Sequence, residues 1–206
     1  LYLTFDALNN GTLKINEPLT VSRNAARTPP YGLGVRAGQK ITVEEAIQAL
    51  VVRSANDVSV VLAERLAGSE AAFSVMMNEK ALALNMHRTK FMTPHGLPHP
   101  EQTTTARDMA KLATAILTHH RRYYHYFGQT HFQWKGRNHR NTNSLLHWLD
   151  GVDGFKTGFT NASGYNLVIS AERDGRRIVA VVLGGASGTS RDRHMQDLIE
   201  RSFKVI

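Results

Sequence analysis

Three closely spaced runs of strand-forming residues leave the C-terminal part of this chain little choice of architecture. Gly154-Phe155-Lys156-Thr157-Gly158-Phe159-Thr160 reads as a strand, carried by Phe, Thr and Phe among glycines. Tyr165 to Glu172 is a second strand, Asp174-Gly175 a hairpin turn signal, and Arg177 to Leu183 a third strand that Gly184-Gly185 stops. Runs joined by so few residues pair antiparallel. A helix from about Arg191, with Met195, Leu198, Ile199 and Phe203 on one face, is expected to pack on this meander.

The middle of the chain is expected to be helical. Thr42-Val43-Glu44-Glu45 is a capping box opening a helix with Val43, Ile47, Leu50 and Val51 at helical spacing. A second apolar stripe, Val58, Val61, Leu62 and Leu66, ends at Gly68, so Ser54-Ala55-Asn56 falls at the junction of two helices. Ser69 caps a helix through about Met86, and Thr105 with Asp108 starts another whose stripe is Met109, Leu112, Ala113, Ile116 and Leu117. Leu1 to Leu8 reads as the tail of a helix stopped by Asn9-Asn10-Gly11. Residues 12–41 are expected to form a loop with a small hairpin, drawing on Leu19 to Ser22 and Gly34 to Arg36, around the breakers Pro29-Pro30. Residues 135–144 read as a polar, Asn-rich loop. With 206 residues, 42% of them hydrophobic, the chain suits one globular domain. Its helical lobe spans about 42–150, and its sheet and closing helix about 153–206.

Composition restricts function only broadly. No cysteine is present, which excludes disulfides and thiol catalysis. No apolar run approaches the roughly 18 residues of a membrane span. The formal charge of +8 suits an anionic partner. Nucleic acid is not favoured, because no basic stripe interleaved with aromatic residues is visible. His119, His120, His125 and His131 lack metal-site spacing, and Arg121 and Arg122 between them would repel a cation.

Chemistry is concentrated in two short motifs. In Lys156-Thr157-Gly158, the glycine allows another molecule to lie along the strand, with a charge and a hydroxyl beside it. Taken alone, the triplet reads more readily as an exposed strand whose lysine faces water. Ser54 and Asn56 read equally as helix caps.

Together, in this order and on these elements, the two motifs resemble the signature of penicillin-binding proteins and β-lactamases. Arg53-Ser54-Ala55-Asn56-Asp57, Phe91 to Leu97 with His95-Gly96-Leu97, Thr105 to Ala110, Asp153 to Thr160 and Gly164-Tyr165-Asn166-Leu167 all resemble the low-molecular-mass D-alanyl-D-alanine carboxypeptidases of serine peptidase family S11. The resemblance implies an α+β transpeptidase-like fold: an antiparallel sheet packed by helices, beside an all-helical lobe. It implies removal of the terminal D-Ala from peptidoglycan stem peptides through a serine acyl-enzyme, inhibition by β-lactams, and a periplasmic or other extracytoplasmic location at the cell envelope. No cofactor or metal comes with it. A related β-lactamase or endopeptidase is an alternative, although no Glu-x-x-Leu-Asn motif occurs.

The same resemblance assigns roles. Ser54 takes part in proton transfer to the leaving amine, Asn56 binds the substrate's peptide chain, and Lys156 supplies electrostatic pull and positions Ser54. Thr157 holds the terminal carboxylate beside Gly158, the Phe159 backbone N–H is an oxyanion donor, Arg191 faces the carboxylate, and His95 supports the site. Ser54 and Lys156 are expected within hydrogen-bond range of one another. The family's Ser-x-x-Lys, which carries nucleophile and base, does not occur in these 206 residues. The expectation is a cut chain, with that motif preceding Leu1 on the same helix and Leu1 pointing at the site. A module that binds D-Ala-D-Ala ends without hydrolysing them is the alternative. The family's C-terminal β domain and amphipathic tail are also not present, and membrane contact is expected only through them.

Overall fold

The structure, a computed structural model, describes residues 1–29 and 31–205. Pro30, one of the two breakers in the 12–41 segment, lies outside the described residues. The C-terminal meander forms as its residues dictate: β5 (Val152–Thr160), β6 (Gly164–Arg173) and β7 (Arg176–Gly185) make a three-stranded antiparallel sheet in that order. Asp174 and Gly175 both take positive φ, as a two-residue hairpin turn requires. Alternation then sorts the side chains onto two faces. Leu167, Ile169, Ala171 and Val182 bury against Met195 and Ile199 of α6 (Gly188–Phe203) and against Leu145 and Leu149. Phe155, Val168 and Val179 turn the other way, into a larger core shared with the helices.

That larger core is built by α1 (Tyr2–Asn9), α2 (Val43–Gln48), α3 (Asn56–Ala67), and α5 (Ala106–His119), with α4 (Glu70–Ala83) packed on α3. Phe5 is fully buried at its centre and stacks on Tyr123, ring centroids 5.0 Å apart. The caps match the sequence reading. Thr42 and Glu45 form the reciprocal box, Ser69 and Thr105 accept from the N–H three residues on, and Gly68 ends α3 at φ +80°. Helix α6 starts three residues before Arg191, capped by Ser187, because Gly185 lets its first turn approach: a Cβ there would lie 2.9 Å from that of Arg191.

Three expectations are corrected. The partner of β1 (Pro18–Thr20) is β2 (Lys40–Thr42), not Gly34 to Arg36. The latter is drawn away by Asp57, whose carboxylate accepts from the N–H groups of Leu33, Gly34 and Val35 at 3.1, 2.9 and 3.2 Å. Residues 135–144 are not simply loop. Lys135 and Gly136, both at positive φ, turn β3 (His131–Trp134) into β4 (Arg137–Arg140), so the lobe spanning 42–150 is not all helix. Finally, α2 runs straight into a π-helical turn, Ala49–Arg53, that Ser54 ends in the left-handed region at φ 58°.

Asp57 is buried and also accepts from its own helix at Val58 N–H, 2.9 Å. Removing its carboxylate leaves several buried donors without a partner. Asp57→Ala should lower unfolding stability by about 2–4 kcal/mol in urea titration. A loss under ~0.5 kcal/mol would show that water replaces the carboxylate and that the 31–36 loop is not pinned through it.

Candidate active site

Strand β5 is an edge: it pairs with β6 and, among the described residues, with no second strand. Such an edge directs half of its backbone donors and acceptors outward. A Cβ on Gly158 would meet nothing closer than Asn166 Cβ at 3.8 Å, so the internal packing does not demand a glycine here. The space beside it is open for another molecule. Phe159 is exposed and packs on its cross-strand partner Tyr165, ring centroids 4.4 Å apart.

Lys156 is partly buried, and its Nζ donates to Thr157 O at 2.9 Å, with Thr157 Oγ1 at 3.5 Å. Burial lowers its pKa to about 8, and the positive Arg191 guanidinium adds to the shift. Arg191 is buried and not a surface residue. Its Nε and Nη2 donate to Asp192 Oδ1 at 2.9 and 2.6 Å, and its Nη1 reaches Asn166 O at 3.5 Å. Asn166 is the register partner of Gly158. Two cations and one carboxylate therefore share a confined region at this end of the sheet.

Residues 141–144, read from the sequence only as polar loop, join this edge to the helical lobe. Asn141 is buried and donates to Gln129 O at 2.6 Å while accepting from Asn143 N–H at 2.8 Å. Asn143, also buried, caps the turn Ser144–His147 through Leu145 N–H. Between them Thr142 is exposed: its N–H donates to Val52 O at 3.3 Å and its hydroxyl lies 2.6 Å from that of Thr157. Ser144 Oγ donates to Asp192 Oδ2 at 2.5 Å, which locks the acid that holds Arg191. An Asn-x-Asn spacing ahead of Leu-Leu is the available sequence signal, because asparagine side chains bond backbone two residues on.

The other predicted residues fall into two groups. Asn56 is buried in the first turn of α3, and its N–H donates to Tyr31 O at 2.8 Å. Ser54 is half-buried, two residues beyond the Val52 carbonyl that Thr142 holds. The loop after the π-turn is thus carried to the Lys-Thr-Gly strand through Thr142. Among the described residues Ser54 and Lys156 share no hydrogen bond, and the lysine turns to Thr157. His95 has its Nε2 3.6 Å from Glu70 Oε2 and its Nδ1 accepting from Leu97 N–H. Burial lowers its pKa while Glu70 opposes the shift. Leu1 packs on the main core.

An exposed edge strand bearing Lys-Thr-Gly, a Ser-x-Asn turn across a seam and a helical lobe define the class of penicilloyl-serine transpeptidases and β-lactamases. Within that class the chain belongs to the D-alanyl-D-alanine carboxypeptidase family S11, whose model matches residues 1–187. It is 34% identical over 207 residues to the D-alanyl-D-alanine carboxypeptidase DacD of Salmonella typhimurium, covering 97% of this chain and 53% of that protein. It superposes on the crystal structure of DacD from Francisella tularensis with a TM-score of 0.94 at 30% identity, covering 97% of this chain and 61% of that one. Penicillin-binding protein D2 from Listeria monocytogenes, solved with cefotaxime bound, gives 0.87 at 28% identity, covering 98% and 83%. The chain spans about half the length of the relatives it matches.

A charged lysine stripped of water destabilises the fold, and the sign of its pH dependence follows from linkage. Folded, Lys156 titrates near 8; unfolded, it titrates in the ordinary lysine range, so stability rises as pH climbs between the two. Lys156→Met should therefore raise Tm by a few degrees at about pH 7, and the gain should shrink at about pH 9.5. Calorimetry giving an equal gain at both pH values would remove the buried charge as its cause.

Proposed function

We propose that this chain supplies the sheet edge and the Ser-x-Asn turn of an active site that removes the terminal D-Ala from peptidoglycan stem peptides. The observation that carries this reading is a pair of cations, the partly buried Lys156 and the buried Arg191, beside the paired hydroxyls of Thr142 and Thr157 on an open strand edge. Such an edge accepts an extended peptide by backbone pairing. The cations and hydroxyls suit a peptide that ends there in a carboxylate, and the like charges repel one another until an anion is bound.

The roles follow the chemistry of acyl transfer. A serine Oγ attacks the carbonyl carbon of the penultimate D-Ala, the C–N bond breaks, and the terminal D-Ala leaves as an amine that takes up a proton. Water then hydrolyses the ester. Ser54 passes the proton to the leaving nitrogen, Asn56 holds the peptide chain, and the Phe159 N–H stabilises the oxyanion. Thr157, with Thr142 beside it, binds the terminal carboxylate next to Gly158, and Lys156 and Arg191 provide its electrostatic attraction. Arg191, already tied to Asp192, acts mainly through its field. His95 steadies the 91–97 loop against α4. A β-lactam presents a similar carboxylate and a strained amide, and acylates the same serine. This substrate lies outside the cytoplasm, and so does the enzyme.

The test uses the full-length gene product, because the attacking Ser-x-x-Lys is not within residues 1–206. It should release D-Ala from a D-Ala-D-Ala stem peptide and be labelled by fluorescent penicillin. Lys156→Ala should cut the labelling rate by about 10²-fold, the scale of one lost electrostatic group. Labelling at the parental rate would strike Lys156 from the mechanism.

A further inference from the structure

Between Asp108 and Asp150 the chain has no acidic residue, and this stretch holds Lys111, Arg121, Arg122, Lys135, Arg137 and Arg140. The fold gathers three of these on the β3–β4 hairpin, Lys135 in its turn and Arg137 and Arg140 on β4. Lys135, Arg137 and Arg140 are all exposed, and among the described residues none of them lies in an ion pair with a carboxylate. Several arginines elsewhere are paired with carboxylates: Arg65 with Glu17, Arg173 with Glu200, Arg177 with Asp153 and Arg191 with Asp192. Arg140 Nε instead donates to His147 Nε2 at 3.1 Å, and the next residue, Trp148, is 54% exposed. This charged face was not visible as a basic stripe in the sequence, because it arises from a hairpin turning back on itself.

Its position gives it meaning. Arg140 ends β4 two residues before Thr142, whose hydroxyl meets that of Thr157 on the edge of β5. A polymer with one branch end bound at Thr157 therefore has unpaired positive charges within reach along the same segment, on this hairpin. We propose that the hairpin face is an exosite for the substrate's own polymer, a carboxylate-bearing glycan whose neighbouring stem peptides pair with Lys135, Arg137 and Arg140 while a sugar ring packs on Trp148. This rests on the peptidoglycan reading above and deepens it. Exposed charges bind loosely and salt-dependently, which suits a surface that must let a long strand move on. An exposed indole offers an apolar platform for the C–H face of a sugar.

The test is co-sedimentation of the 206-residue chain with purified peptidoglycan sacculi. The parent should pellet, and Arg137→Gln/Arg140→Gln/Trp148→Ala should need about tenfold more sacculi for half-pelleting, the effect of a few lost surface contacts. Raising salt from about 50 to about 300 mM should release the parent and change the variant little. Sacculi with amidated carboxyl groups should fail to retain the parent. Equal pelleting of parent and variant, undiminished retention on amidated sacculi, or equally tight binding to duplex DNA would each overturn the proposal. In the full-length gene product the same variant should keep its penicillin labelling rate. Loss of that labelling would place the hairpin inside the acylating site and also overturn an exosite. Failure of the full-length gene product to release D-Ala, with sacculus binding intact, would strike the catalytic reading and leave the surface standing.

Discussion

Four residues, Asn141 to Ser144, make the contacts on which the arrangement of this molecule depends. Thr142 holds the carbonyl of Val52 with its backbone and the hydroxyl of Thr157 with its side chain, while Ser144 holds Asp192. The helical lobe, the sheet edge and the closing helix are thereby tied to one short segment. The segment can do this because Asn141 and Asn143 are buried and satisfy the turns on either side of Thr142. A buried asparagine on each flank fixes the exposed threonine between them more firmly than an ordinary surface loop would.

The charges near that bridge are arranged at a cost to stability. Burying Lys156 close to Arg191 opposes the charged form of the lysine, and only Asp192 offsets the pair. A chain selected for stability alone would place an apolar residue at position 156. The deficit of negative charge is sensible where a ligand carboxylate completes the set. The same logic separates this region from Tyr124, Asp153 and Arg177 behind β5. There the tyrosine hydroxyl donates to Asp153 at 2.7 Å, and Arg177 donates to the same carboxylate. That set is complete in itself and secures the strand from the rear.

Much of the fold was legible because local signals agreed with the global structure. Asp174-Gly175 dictated its hairpin, the caps at Thr42, Ser69 and Thr105 dictated their helices, and Lys156-Thr157-Gly158 lay on a strand as read. The failures have a common cause in long-range polar contacts. Gly34 to Arg36 carries some strand character, yet the Asp57 carboxylate, more than twenty residues on, captures those backbone donors. The β3–β4 hairpin hid because its outward positions are Arg, Asn and His, and only Phe132 and Trp134 mark its buried face. Of the candidate site, the residue types were legible from motif resemblance, whereas Thr142 was not. Its role exists only through partners ten or more residues away in sequence. His95 was read from its motif, and its ring faces Glu70 at the start of α4.

The shape of the candidate site bears on what it can recognise. The molecule has hollows of about 390 and 580 Å³, but they are lined by residues 87–105 and by α4 and α5, away from β5. The edge of β5 carries a bare glycine and an exposed Phe159. A cavity sized for a small molecule gains its affinity by enclosing the ligand. An edge gains it from backbone pairing along an extended chain, with charge selecting the end of that chain. The segment that sets Thr142 beside Thr157 also leads directly out of the basic hairpin. The proposed recognition of the chain end and the proposed exosite are thus joined by one continuous stretch of backbone.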